Sequence, residues 1–135
     1  MNPTITKILY ADDDSDDRFF LSESFDATDI GADLVYASNG DEAINYLESA
    51  NDLLPALIVL DLNMPKRDGK QTLSYLKSHP RFASIPVVIL STSESKADKE
   101  SCANLGAISY FKKPIHYNGY VEIVKSFKPF VQAQS

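Results

Sequence analysis

The sequence holds one cysteine, Cys102, and two histidines, His79 and His116, among 135 residues. A lone thiol excludes an internal disulfide framework and a cysteine-built zinc site, and it fits a reducing, cytoplasmic compartment. Cys102 reads as a packing residue, and the histidines, which lack ligand spacing, read as solvated loop residues. Positive charge is scarce as well: 13 Lys and Arg face 19 Asp and Glu, for a net charge of −6. A nucleic-acid partner needs a basic stripe to neutralise phosphates, so none is expected. No apolar run approaches the ~18 residues of a membrane span, and no charged start leads into an apolar stretch, so no membrane partner is expected. The Gly-x-x-x-x-Gly-Lys-Ser/Thr pattern of a phosphate-binding loop is also missing.

What is present is ordinary globular composition, 44% hydrophobic and 24% charged, in a length that suits one domain. Five short apolar runs alternate with polar segments long enough for helices. They are Ile8-Leu9-Tyr10-Ala11, Leu34-Val35-Tyr36-Ala37, Ala56-Leu57-Ile58-Val59-Leu60, Val87-Val88-Ile89-Leu90 and Ile108-Ser109-Tyr110-Phe111. Such runs predict parallel strands buried on both faces. Helices are expected over about 15–27, with Leu21 and Phe25 inward, and after Asn39, where Glu42 would complete a capping box. Three more are expected over about 69–78, over about 95–105 up to a stop at Gly106, and after Asn118 with Val121, Val124 and Phe127 inward. Five strand–helix units predict an α/β fold: a flavodoxin-like, doubly wound five-stranded parallel sheet of order 2-1-3-4-5. That order puts its switch point between the first and third strands, and ligands bind such sheets at the carboxyl ends of the strands.

The strand ends carry the polar residues of interest. The first strand runs into Asp12-Asp13-Asp14, the third into Asp61, the fourth into Ser91-Thr92 and the fifth into Lys112-Lys113-Pro114. Asp13 precedes Asp61 by 48 residues, Asp61 precedes Ser91 by 30, and Ser91 precedes Lys113 by 22, so each falls at a similar phase of a unit averaging 25 residues. Carboxylates, a hydroxyl and an ammonium should therefore gather on one edge. Two carboxylates ~5 Å apart repel by about 3 kcal/mol at an effective dielectric near 20, so such a cluster calls for a bound cation or a retained proton. Oxygen ligands of this kind suit Mg²⁺ or Mn²⁺. Asp14, Asp16 and Asp17 are instead expected to solvate a turn and favour the N-terminus of the first helix. A carboxylate beside such a metal can attack phosphorus to form an acyl phosphate, and the main demands on the protein are positioning and charge neutralisation. Asp61 would attack, Lys113 would neutralise, and Ser91 would donate to a phosphoryl oxygen. No residue looks like a dedicated general base.

These residues, in this order, resemble the receiver domain of bacterial two-component response regulators. Four segments carry the resemblance: Ile8 to Asp14, Val59 to Gly69 with Asp61-Leu62-Asn63-Met64-Pro65 at its centre, Pro86 to Thr92, and Gly106 to Pro114. The resemblance implies that Asp61 is the phosphoacceptor and that Asp13 binds the metal directly, with Asp12 acting mainly through water. It further implies a third protein ligand in the backbone carbonyl of Asn63, a switch pair in Ser91 and Tyr110, and a phosphate-binding role for Lys113. The resemblance also implies a cis peptide bond at Lys113–Pro114, which overrides the base rate for X–Pro bonds of roughly 5–6% cis. The segment Leu76 to Pro86 and Ser91-Thr92-Ser93 resembles, more narrowly, stand-alone receivers that partner phytochrome-type histidine kinases.

The reading is thus a signalling phosphoacceptor rather than an enzyme, with a sensor histidine kinase, phytochrome-type on the narrower resemblance, as donor. A single receiver domain is expected over 1–135, with a core of about 7–127 and no output domain, so that a partner protein or onward phosphotransfer carries the signal. Tyr110, Phe111, Tyr117 and Tyr120 suggest an aromatic face on the fourth helix, fifth strand and fifth helix, which a partner or a second copy would bind. Two rivals fare worse. An aspartyl-phosphate phosphatase resembles Asp-x-Asp, but Asn63 stands where its second carboxylate would be. A flavodoxin would need a polar, uncharged loop after the first strand, where this chain is acidic.

Overall fold

The computed structural model describes residues 6–50 and 53–132. Its elements alternate as read: β1 (Lys7–Ala11), α1 (Ser15–Thr28), β2 (Asp33–Ala37), α2 (Gly40–Ser49), β3 (Leu57–Leu60), α3 (Gly69–Ser78), β4 (Val87–Ser91), α4 (Lys96–Leu105), β5 (Ser109–Lys112), α5 (Tyr117–Lys125) and a short α6 (Lys128–Gln132). The strands form one parallel sheet of order β2-β1-β3-β4-β5.

Strand periodicity sorts the core into two layers. Leu9, Ala11, Ile58, Leu60, Val87 and Ile89 face one side, where Ala43, Leu47, Leu73, Leu76 and Cys102 of α2, α3 and α4 cover them. Ile8, Tyr10, Leu57, Val59, Val88 and Leu90 face the other, against Leu21, Phe25, Tyr120, Val124 and Phe127. Burial on both faces holds for the central strands β1, β3 and β4, apart from Lys7 at the start of β1, but not for β2 and β5, which lie at the sheet edges and are largely part-exposed. Successive side chains on a strand point to opposite faces, so a run buried on both faces requires helices on both, and an edge strand lacks full cover.

Helix starts follow local chemistry. Asp14 caps α1 by accepting from the backbone N–H groups of Asp16 and Asp17, and Asp68 with Gln71 forms a full capping box on α3. Asn39 caps α2 as expected, but the Glu42 carboxylate reaches back to the Ser38 N–H rather than to Asn39 itself. Gly106 ends α4 in the left-handed region at φ 109°. The inward face of the last helical segment is Tyr120, Ile123, Val124 and Phe127, with Val121 only half-buried. The helix also breaks at Ser126, and Pro129 begins afresh in the first turn of α6, where its missing N–H costs nothing. Gly69 serves close packing: a Cβ there would lie 2.3 Å from the Asp61 carbonyl oxygen.

Candidate functional site

At the carboxyl edge of the sheet the backbone seats two aspartates side by side. The Asp12 N–H donates to the Ala37 carbonyl at 3.0 Å, and the Asp61 N–H donates to the Ala11 carbonyl at 3.0 Å. Both side chains are buried, whereas Asp13 is exposed above them. One carboxylate oxygen from each of Asp12, Asp13 and Asp61 can be chosen so that all three lie within 4.8 Å of one another. Three hard anionic oxygens at that spacing fit a divalent cation such as Mg²⁺ or Mn²⁺.

The three carboxylates are not equivalent. Asp12 Oδ1 accepts from the Asp14 N–H at 2.9 Å, while Oδ2 accepts from the Tyr10 hydroxyl at 2.5 Å and meets Lys113 Nζ at 3.0 Å. Asp61 Oδ1 accepts from the Asn63 N–H at 3.3 Å, and Oδ2 faces Lys113 at 3.3 Å. Burial, then the neighbouring Asp12 charge, pushes the Asp61 pKa up to about 7 against the pull of Lys113. Asp13, facing outward, is the carboxylate that stays open to an incoming cation. For Lys113, burial works to lower the pKa, but hydrogen bonds to Asp17 and Asp12 and the charges of Asp12 and Asp61 outweigh it and hold the ammonium above the usual lysine value. Burial beside a carboxylate also raises both neighbouring phenols, Tyr10 next to Asp12 and Tyr120 next to Asp17.

Asp17 corrects the sequence reading. It does not merely solvate the first turn of α1; its Oδ2 pairs with Lys113 Nζ at 2.7 Å and its Oδ1 accepts from the Tyr120 hydroxyl at 3.1 Å. Tyr10 does more than fill the first apolar run, because its hydroxyl binds Asp12. Strand alternation offered a signal for Tyr10, which lies two residues before Asp12 on the same face. Nothing local connects Tyr120 to Asp17.

On the other flank, Ser91 is fully buried at the end of β4, and its Oγ accepts from the Ser93 N–H at 3.1 Å. Ser93 ties this loop together: its hydroxyl donates to Asp98 at 2.6 Å and its carbonyl accepts from the Tyr110 hydroxyl at 2.9 Å. Asp98 also pairs with Lys70 of α3 at 2.7 Å. Tyr110 therefore meets the Ser91 loop through Ser93.

Three expectations change. The described residues contain no cis peptide bond, so Lys113–Pro114 is trans; trans is favoured by ~0.5–1 kcal/mol, and Lys113 reaches the cluster in that form. The four aromatics near β5 do not make one face. Tyr110 packs with α4 on one side of the sheet and Phe111 on the other, Tyr120 is buried towards Asp17, and the Tyr117 hydroxyl donates to the Glu23 carbonyl of α1. Exposed apolar surface there comes from Ile108, Tyr117 and Ile115, the last 87% exposed. His79 is not simply solvated, since its ring stacks on Phe82 at 4.3 Å. Cys102 is buried in the core, as read.

Comparison with known proteins agrees with the fold. The family model "Response regulator receiver domain" matches residues 8–125. Response regulator Rcp1 of Synechocystis sp. is 31% identical over 133 residues, covering 96% of this chain and 90% of that protein. The structure of the phosphorylated cyanobacterial phytochrome response regulator RcpA superposes with a TM-score of 0.86 at 32% identity, covering 98% of this chain and 97% of that one. The Mn²⁺-bound form of Rcp1 gives a TM-score of 0.82 at 30% identity over 93% of this chain and 94% of that one. No helix among the described residues is long and apolar enough to cross a membrane.

Proposed function

The chain belongs to the response regulator receiver domain family, and on that footing we propose that Asp61 is its phosphoacceptor, charged by a sensor histidine kinase. The observation that carries this reading is the Asp61 carboxylate, buried at the end of β3 between Asp12 and the Lys113 ammonium, with Asp13 open beside it. An Asp61 oxygen attacks the phosphorus of a phosphohistidine or acyl phosphate. As the new O–P bond forms, the bond to the leaving group breaks: an imidazole departs and takes its proton from solvent, whereas an acyl phosphate releases its carboxylate. Lys113 offers an N–H to a phosphoryl oxygen, and Ser91, whose Oγ accepts from the Ser93 N–H, keeps its own hydroxyl proton to donate. A divalent cation held by Asp13, Asp61, the Asn63 carbonyl and, through water, Asp12 would supply charge neutralisation on the opposite side.

Similarity to phytochrome-associated regulators supports a phytochrome-type kinase as donor, and a single buried cysteine supports a cytoplasmic setting. The domain is read as signalling through protein partners, including a second copy docked on the face of α4, β5 and α5, where Ile108 and Ile115 are exposed. Drawing Ser91 towards the phosphoryl group would loosen the Ser93 loop that holds the Tyr110 hydroxyl, coupling the acceptor to that face.

Incubation with Mg²⁺ and acetyl phosphate, followed by mass spectrometry, should place one acid-labile phosphoryl group on Asp61, with none in Asp61→Asn. Asp13→Asn should take up phosphoryl far more slowly and lose the stabilisation that saturating Mg²⁺ gives the wild type, ~1.4 kcal/mol at ten times the dissociation constant. Undiminished labelling of Asp61→Asn would remove the assignment.

A further inference from the structure

The Lys113 ammonium has three N–H donors, and three carboxylates surround it: Asp17 at 2.7 Å, Asp12 at 3.0 Å and Asp61 at 3.3 Å. The shortest contact is to Asp17, which comes from α1 and not from the strand ends, and the longest is to Asp61. Asp17 is itself braced. Its other oxygen accepts from the Tyr120 hydroxyl at 3.1 Å, and the Tyr120 ring is buried on α5, 5.8 Å from Phe20 of α1. The Asp17 N–H is also tied to the Asp14 cap.

A lysine carries its charge on a flexible four-carbon stem, so its position depends on what holds the ammonium. With only Asp12 and Asp61 as partners, the charge would settle onto Asp61 and neutralise the oxygen that must attack. With Asp17 drawing it aside, the ammonium stays in the cluster yet offset from Asp61. Resting on the phosphoacceptor reading of Asp61, we propose that Asp17, braced by Tyr120, is a positioning residue that holds Lys113 where it meets a phosphoryl oxygen instead of quenching the Asp61 carboxylate. On transfer, the phosphoryl oxygen replaces Asp61 as the third acceptor, while Asp17 and Asp12 keep the other two donors.

The test compares wild type with Asp17→Asn, Tyr120→Phe and, as a control for charge, Asp26→Asn, an equal charge change at an exposed site on the same helix. Phosphoryl uptake from acetyl phosphate with Mg²⁺ should slow about tenfold in Asp17→Asn and about threefold in Tyr120→Phe, and stay at the wild-type rate in the control. A second readout needs no phosphorylation: the Lys113 Cε resonance of metal-free protein labelled with ¹³C-lysine should move in both variants and not in the control. Tyr120→Phe keeps all charges and the buried ring, so a slower rate together with a displaced Lys113 signal shows positioning. Uptake in Asp17→Asn as fast as in the control, or a slower rate with an unmoved Lys113 resonance, overturns the proposal while wild-type labelling of Asp61 leaves the phosphoacceptor reading standing. If wild type takes up no phosphoryl group at Asp61, that reading falls and the positioning role falls with it.

Discussion

The flank of Asp61 that faces α1 and α5 is closed by charge, whereas the flank that faces α3 and α4 is closed by hydroxyls and backbone groups. On the first, Lys113 sits among Asp12, Asp17 and Asp61 with its side chain only 7% exposed, and Tyr10 and Tyr120 brace two of those carboxylates. On the second, Ser91, Ser93 and Tyr110 are joined by single neutral hydrogen bonds, and the Lys70–Asp98 pair behind them, which the Ser93 hydroxyl also meets, is part-exposed. Buried charges lose much when a partner leaves, so the first flank is stiff; neutral hydrogen bonds contribute about 0.5–1.5 kcal/mol net each, so the second can rearrange. A charged scaffold on one side and an exchangeable loop on the other suit a site that must hold chemistry fixed while signalling its outcome.

The largest expected effect breaks the stiff flank. Lys113→Ala leaves three acidic side chains without their shared cation and should lower the urea unfolding free energy by about 3–5 kcal/mol in metal-free protein. A loss below ~1 kcal/mol would mean that this flank is no stiffer than the other.

Next is pH. The folded Asp61 pKa lies near 7 against 3.8 for an ordinary aspartate, so the folded state holds a proton that the unfolded state has released between those values. The contribution of this group is fully present below about 4 and is lost as pH rises through about 7, so metal-free stability should fall across that window. Asp61→Asn should flatten the profile, and an unchanged slope in denaturant titrations would show that another group sets it.

The smallest effects belong to the loop flank. Tyr110→Phe removes the bond to the Ser93 carbonyl and should cost ~0.5–1.5 kcal/mol, while Lys70→Ala, which removes a part-exposed pair, should move the urea midpoint only slightly. If Lys70→Ala proved as damaging as Lys113→Ala, the contrast between the flanks would be lost.

The stiff flank was the harder one to read in advance. Asp12, Asp13, Asp61, Ser91 and Lys113 stand out because each follows an apolar strand at a repeating interval, and the structure gathers them on one edge. Asp17 and Tyr120 offer no such mark: one looks like an acidic first-turn residue, the other like part of a partner-facing aromatic face. The broken last helix was likewise hidden, since Val121 and Ile123 are equally apolar in the sequence and only packing decides which is buried.

Alternation of strand and helix, with polar residues in phase at the strand ends, was enough to determine the layered parallel sheet and the edge on which its chemistry gathers. That is because periodicity and turn chemistry act within an element and repeat from one unit to the next. Which carboxylate holds Lys113 most closely was decided only by tertiary structure. Asp17 lies 96 residues from Lys113 and 103 from Tyr120, and they meet because α1 packs against α5 beside the ends of β1 and β5. A contact of that kind depends on how buried apolar surfaces fit across a sheet face, and no local pattern encodes it.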